Sequence, residues 1–488
     1  MVAPDGLFDG SPRAWNQTLW RFQGRLDTLP VEVFFNEFFY PGLLANILAG
    51  RNPRARTAID EKDRRQPRVE ISVVPAKASK SAPSQMAKLQ IKVADTSPDP
   101  DHSQRSGVRD VRLFRNGSLV GIWHGDVALG SEGTALLEKD VSIVAGSNSF
   151  TAYAFNHDNV KSPDATLVVQ GPESLKRKPS VYLLAIGIDQ YSNPAFNLRY
   201  ATDDAGEFAS VLKEHLEKLG GYSEIRTIPL LNERATKNNI LWSLRRLAGT
   251  AAGTAPQGFP SEWRDLGPAK PDDVVFIYFA GHGTEEDRKF YLLPHDLGVL
   301  QGSSLDATAA EEILGHSISD EDLQDALENL NASAIVLVID ACRSGQALQA
   351  DDPRQGPMNS KGLAQLAYDK GMYILAASQS NQNALELAKL GHGLLTYTLI
   401  NAGLSEDKAD FAPKDGRILL REWFDYAVQM VPQMQREAMT KTTDSGTNGP
   451  VVVENEQDKP LNERSLQRPR AFYRREQENE PLVVSRTR

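Results

Sequence analysis

The chain has a single cysteine, Cys342, among its 488 residues. An internal disulfide framework is therefore excluded, and the usage suits a reducing compartment. No apolar run approaches the roughly 18 residues of a membrane-spanning helix. The first residues, Met1-Val-Ala-Pro-Asp-Gly-Leu-Phe-Asp9, lack the basic start and apolar centre of a signal peptide. A cytoplasmic location without membrane contact is the resulting expectation. No phosphate-cradling glycine motif is present, no histidine pair has metalloprotease spacing, and one cysteine is too few for a Cys/His zinc site. Acidic residues outnumber basic ones, 64 to 54, so the net charge of -10 argues against specific nucleic-acid binding. Internal repeats and long low-complexity runs are absent as well.

What the chain does have is a set of short apolar runs with abrupt polar ends. Ala334-Ile-Val-Leu-Val-Ile339 shows no polar alternation, as expected of a strand buried on both faces of a parallel sheet. It ends in Asp340-Ala-Cys-Arg-Ser-Gly345. A second run, Asp273-Val-Val-Phe-Ile-Tyr-Phe-Ala280, ends in Gly281-His282-Gly283. Residues just beyond the carboxyl ends of such strands are where open α/β folds keep their chemistry. A thiol near neutral pH needs a base or a cation to become an adequate nucleophile, and His282 is the candidate for Cys342. A lone cysteine or histidine is most often a packing residue, but two at matching strand ends within one α/β domain point to a nucleophile pair. Gly281 and Gly283 leave room for a substrate backbone. The N–H groups of Gly283 and Cys342 are candidates for an oxyanion hole.

The pattern along the chain divides it into four parts. Residues 1–66 form an aromatic-rich segment and a charged connector. Trp15, Trp20, Phe22 and Val31-Glu-Val-Phe-Phe-Asn-Glu-Phe-Phe-Tyr40 read as an extended lead followed by one or two short helices that dock on the next domain. Residues 67–172 switch to a period of two, with about seven short strands. Asn116-Gly117 marks a hairpin, and an all-β, immunoglobulin-like antiparallel sandwich is expected. His102, His124 and His157 are scattered through it and read as surface or turn residues. Residues 178–440 alternate β and α elements, which predicts a mostly parallel α/β sheet with helices on both faces. Within it, helices are predicted at Ala201–Leu219, about Thr236–Leu247, Ser319–Leu330, Leu394–Leu404 and Leu419–Met434. Residues 441–488 are a polar, Arg-rich tail in which Pro469–Tyr473 and Leu482–Val484 are able to pair with a sheet edge.

The motifs of residues 178–440 resemble those of caspase-like cysteine peptidases of clan CD, peptidase family C14, in the metacaspase and bacterial orthocaspase branch. Tyr278-Phe-Ala-Gly-His-Gly283 and Val338-Ile-Asp-Ala-Cys-Arg-Ser-Gly345 are similar to the family's histidine and cysteine signatures. Ala185-Ile-Gly-Ile-Asp189, Leu198-Arg-Tyr-Ala-Thr-Asp-Asp-Ala205, Tyr291-Leu-Leu-Pro-His-Asp296 and Gly391-His-Gly-Leu-Leu-Thr396 support them in the right order. The resemblance implies a caspase-like domain with a p20-like part over about 178–345, a processing loop over 346–370 and a p10-like part over 371–440. It implies Cys342 as nucleophile, His282 as proton-transfer partner, the Gly283 and Cys342 N–H groups as oxyanion hole, and no third triad member.

Specificity follows from what stands two residues before the cysteine. Caspases proper have Gln there and cut after aspartate, whereas metacaspases have an acid, here Asp340, and a second acid in the segment matching Thr202-Asp-Asp-Ala205. That second acid is expected to be Asp204, next to Asp203. Two carboxylates in one pocket repel an acidic side chain and accept a guanidinium as a charge-assisted pair, so protein substrates with exposed Arg, then Lys, at P1 are expected. Arg354 and Lys361 in the loop after the cysteine are the expected processing sites, cut by the protein itself or by an upstream activating protease. Many metacaspases hold calcium with acids outside the active centre. Asp320, Glu321 and Asp322 match one part of that pattern and equally suit a helix start, while Gln349 replaces the next expected acid, with Asp351 and Asp352 following. No cofactor and no metal are expected. The resemblance further implies a regulatory proteolytic cascade, in cell death or phage defence. The competing expectation is an inactive caspase-like scaffold that recruits partners through the sandwich and basic termini.

Overall fold

A computed structural model describes the chain outside residues 11, 16, 22–27, 49, 51, 76–84, 287–288, 299–306, 344–360, 378–385, 388–390, 445–466, 475–480 and 488. Two compact units emerge. One comprises Met1–Arg177 with Arg474–Gln477, the other Lys178–Tyr473 with Glu478–Arg488. The aromatic lead thus groups with the β-rich part, and the tail strands group with the α/β part.

In the first unit α1 (Pro12–Trp15) precedes a hairpin of β1 (Leu19–Arg21) and β2 (Thr28–Pro30). Val31–Phe34 is then a 3-10 turn, continued by α2 (Phe35–Phe38) and, after Pro41-Gly42, by α3 (Leu43–Leu48). The run read as extended is therefore helical. Its rings fall at helical spacing, where residues four apart share a face. Phe35 stacks on Phe39 at 4.9 Å and Phe34 meets Phe38 edge-on at 6.0 Å. Trp15 closes on Phe35 at 5.0 Å. The segment docks as expected: Lys161 N–H donates to the Val33 carbonyl, and Asn159 Nδ2 to Glu37.

Among the described residues, seven strands follow in two antiparallel sheets. One has the order β3 (Arg68–Val73), β4 (Met86–Ala94), β7 (Thr134–Ser142). The other runs β6 (Ser118–Asp126), β5 (Arg109–Arg115), β8 (Gly146–Phe155), β9 (Ala165–Gly171). Alternate residues of both sheets, Leu89, Ile91 and Val93 from one and Leu113, Phe150 and Ala152 from the other, bury in one core. Asn116 (φ 48) and Gly117 (φ 83) make the predicted turn between β5 and β6, with positive φ at both central positions. Arg474 lies 4.2 Å from the centre of the Phe114 ring and bonds Asp164.

The second unit is built on a mixed sheet of order β11 (Glu224–Leu231), β10 (Ser180–Gly187), β12 (Val274–Glu286), β15 (Ala334–Arg343), β16 (Tyr373–Ala376), β20 (Arg470–Phe472). The first four pairings are parallel, and β20, from the tail, closes the edge antiparallel to β16. β13 (Lys289–Leu292) folds back on β12 and also pairs with β14 (Ile318–Ser319). The other tail strand, β21 (Val483–Arg486), pairs with β19 (Arg417–Leu419), and β17 (Glu386–Leu387) pairs with β18 (His392–Gly393).

The even-numbered residues of β12, Val274 to Ala280, pack with α4 (Ala201–Leu219), α9 (Leu394–Tyr397) and α10 (Leu420–Asp444) in one core; the odd-numbered ones are buried on the opposite face. The helices α5 (Lys237–Ala248), α6 (Ala307–His316), α7 (Asp320–Leu327) and α8 (Lys361–Lys370) complete the unit. α5 starts at its Thr236 cap, whose oxygen accepts from Asn239 N–H, and ends on Gly249 in the left-handed region. α9 continues as one long π-helical segment over Thr398–Ser405, so the predicted Leu394–Leu404 helix is present with altered pitch.

Candidate active site

β12 and β15 run on past their apolar stretches and stay paired, so that His282 and Cys342 are register partners in adjacent parallel strands. Such strands lie about 4.8 Å apart. Both residues were expected just beyond the strand ends; they sit inside the strands' extensions. Gly283, the next position, is partnered by Arg343 on one side and Leu292 on the other.

His282 is 9% exposed and enclosed by the loop that follows β10. Its ring lies 5.2 Å from Tyr191 and 6.0 Å from Phe196, edge-on to the latter. Its backbone N–H donates to the Tyr191 hydroxyl at 2.7 Å. A Cβ on Gly281 would stand 2.8 Å from that same hydroxyl, which is why glycine precedes the histidine. Nε2 lies 2.8 Å from the Phe196 carbonyl oxygen. A carbonyl only accepts, so Nε2 bears the proton, and in the neutral ring the basic lone pair belongs to Nδ1. The enclosing loop is itself fixed. Asp189 accepts from the Ala201 and Thr202 N–H groups at the start of α4, and Asn232 Oδ1 accepts from the N–H groups of Asp189 and Gln190. His295 bonds the Gln190 carbonyl through Nδ1, which makes it a support for the loop.

Asp340 and Asp204 come together around Gly393. A Cβ built there would stand 2.8 Å from an Asp340 oxygen and 2.9 Å from an Asp204 oxygen. Asp203 is exposed, whereas Asp204 and Asp340 are both buried, at 4% and 5% exposure. Each has donors from its own chain. Thr396 Oγ1 donates to Asp340 at 2.8 Å; because a carboxylate only accepts, the hydroxyl proton of Tyr278, 2.5 Å away, points in turn at Thr396. Asp204 accepts from Gly393 N–H at 3.1 Å and from His392 Nδ1 at 2.9 Å. The other ring nitrogen, Nε2, is 2.6 Å from Glu207. Burial pushes the Asp204 carboxyl up, against the pull of His392 and Gly393. The hydrogen bond to Asp204, together with the charges of Glu207 and Asp203, raises His392 above the ordinary histidine range.

Asp320, Glu321 and Asp322 open α7. Ser319 and Asp322 form a reciprocal capping box, so these acids serve a helix start. Burial raises Asp320 to about 6, and its carboxylate abuts the first turn of α8 at Gly362. Among the described residues no group of three or more His, Cys, Asp or Glu is placed to hold a metal ion. Gln349, Asp351, Asp352 and Arg354 lie outside the described residues, and Lys361 is the first residue of α8. Also among the described residues, no helix is long and apolar enough to cross a membrane.

Sequence reading missed four contributors. Tyr191 and the Phe196 carbonyl orient the imidazole, Thr396 bonds Asp340, and His392 occupies Asp204. Thr396 and His392 stand in one of the motif segments, Gly391–Thr396, but without a stated role. The Phe196 carbonyl has no side-chain signature at all.

Residues 181–412 match the family described as caspase domain, Peptidase C14. No curated protein matches the chain. Solved structures with some likeness include fibronectin(III)-like modules of Clostridium thermocellum CbhA, with 17% identity, 21% of this chain and 96% of that chain covered, and a TM-score of 0.14. A Bifidobacterium dentium β-glucuronidase has 11% identity, 57% and 44% coverage and a TM-score of 0.16. A Bacillus cereus polysaccharide deacetylase has 12% identity, 55% and 80% coverage and a TM-score of 0.12. At these TM-scores the likenesses to solved structures carry no argument.

Proposed function

Residues 181–412 are a caspase domain of the C14 peptidase family, and from that premise we propose that the protein is a cysteine endopeptidase cutting after Arg, and after Lys less well. The observation that supports the chemistry best is the His282 ring, whose Nε2–H is held by Phe196 so that Nδ1 is left as the base. In this reading Nδ1 takes the Cys342 thiol proton, and the thiolate adds to the scissile carbonyl. The proton then passes to the departing amine, and water resolves the acyl-enzyme with His282 again as base. The N–H groups of Gly283 and Cys342 receive the oxyanion, at roughly 3–4 kcal/mol per donor.

The preference for Arg is supported by the meeting of Asp204 and Asp340 around one glycine, since two buried acids disfavour an acidic P1 side chain and suit a guanidinium. Cleavage in the loop after Cys342, at Arg354 or Lys361, is the proposed activation step. Lys361 opens α8, and a protease takes its substrate extended, which weighs against cleavage after Lys361 in the intact helix. No metal is assigned to the reaction, and activity is expected to survive chelation. The seven antiparallel strands around one core support an immunoglobulin-like sandwich as the accessory module. A cytoplasmic regulatory cascade, in cell death or phage defence, is the setting this reading favours.

Labelling with a peptidyl-arginine chloromethyl ketone tests the proposal. Mass spectrometry should find one adduct, on the Cys342 peptide, and none on Cys342→Ala. Intact masses of the two proteins report self-cleavage. An unmodified Cys342, before and after nicking of the loop by trypsin, would favour the inactive scaffold instead.

A further inference from the structure

Both ring nitrogens of His392 lie beside carboxylates: Nδ1 hydrogen-bonds Asp204 at 2.9 Å, and Nε2 is 2.6 Å from a Glu207 oxygen. A ring held by one carboxylate at Nδ1 and faced by a second at Nε2 is favoured as the imidazolium, whose charge both acids attract. The ring is largely enclosed, with a side-chain exposure of 12%. Among the described residues, the charged groups acting on it and on Asp204 are acids: Asp203, Asp204 and Glu207 from α4, with Asp340 of β15 and Asp189 of the preceding loop beyond Asp204. His392 and Gly393 together occupy the donor-accepting side of Asp204 that an arginyl head group would need.

We propose that His392 is the resident cation of this pocket: it partly offsets the charge of Asp204 and Glu207 in the unliganded protein and is exchanged for the guanidinium of the substrate. The proposal rests on the reading of Asp204 and Asp340 as the P1 pocket. Binding of a guanidinium then competes with protonation of His392. By linkage, binding tightens as pH rises through the titration of His392, and bound guanidinium lowers the histidine's affinity for its proton by the same factor. The raised proton affinity of His392 in the free protein fits this exchange. His392 acts on recognition and leaves the chemical step alone, so the effect falls on KM and on inhibitor binding.

Benzamidine, a small cation of the same shape as the arginine head group, is the probe. For the wild-type protein its inhibition constant should fall about tenfold between about pH 6 and 8, in step with KM for a P1-Arg peptide. In His392→Gln the constant should be nearly independent of pH and about tenfold tighter than wild type at the acid end. Imidazole resonances of the wild-type protein give a second reading that needs no variant: the pKa of His392 should drop by about one unit when benzamidine saturates the site. A wild-type constant that is flat with pH, a slope that survives in His392→Gln, or a His392 titration unmoved by benzamidine would each overturn the exchange. Asp340→Asn separates the two readings. If it binds benzamidine as well as wild type, the pocket assignment itself fails. If it binds more weakly while the pH slope is missing, only the role of His392 fails.

Discussion

His282 and Asp204 are both buried ionisable groups, yet their surroundings are arranged to opposite ends. The imidazole of His282 is held at Nε2 by a backbone carbonyl, which constrains its orientation and tautomer, and the residue's backbone N–H is held by an aromatic hydroxyl; neither adds charge. Asp204 is met by the His392 ring, whose proton affinity that contact raises, and by a backbone N–H. In the proposed reading the difference separates chemistry from recognition. The catalytic side would be organised in advance, so that its groups need not reorganise in the transition state. The recognition side would be partly compensated from within, so that a substrate displaces a charge before it is held.

Substitutions can break this division. The largest effect is expected from Cys342→Ala, which should remove all measurable peptide hydrolysis, a loss on the order of 10⁶ in kcat, with thermal stability unchanged. Asp340→Ala should lower kcat/KM for a P1-Arg peptide by about 10²–10³ while alkylation of Cys342 by iodoacetamide keeps its rate. If alkylation slows equally, recognition and chemistry are not separate. Tyr191→Phe acts on the catalytic side alone. It strips the acceptor from the His282 N–H, and kcat should fall about tenfold with KM nearly constant.

Asp320 sharpens the comparison, as a buried acid whose nearest donor is a backbone N–H instead of an imidazolium. Its pKa is raised from 3.8 to about 6. The folded protein therefore holds a proton that the unfolded chain releases, and stability should decline as pH rises through the window from 3.8 to about 6. Asp320→Asn should abolish that decline, a difference on the order of 1–3 kcal/mol, read from denaturant melts at either end of the window.

Legibility in the sequence tracked how local each cause is. α4 covers Ala201–Leu219 as predicted, because its apolar spacing and the following Gly220-Gly221 are local facts. The same holds for the Thr236 cap of α5 and the Asn116-Gly117 turn. Val31–Phe38 misled because aromatic residues favour strands in general, whereas here their rings pair at helical spacing and with Trp15. α6 passed unnoticed beside its stronger neighbours. In the candidate site, His282, Cys342 and Asp340 were proposed because each ends or follows a recognisable run, whereas Asp204, inside α4, came only from the resemblance to the family's motif. The pairing of His392 with Asp204 joins residues 188 apart. The hold on His282 comes from a main-chain oxygen. Neither leaves a pattern in the sequence that spacing or composition can register.

The central claim is a cysteine peptidase whose paired acids select a cation at P1. Its most direct test is the ratio of kcat/KM for two peptides identical except for Arg or Asp at P1, measured on the wild-type protein. The account predicts a ratio above about 10³ in favour of Arg. A ratio near one, or a preference for Asp, would contradict it.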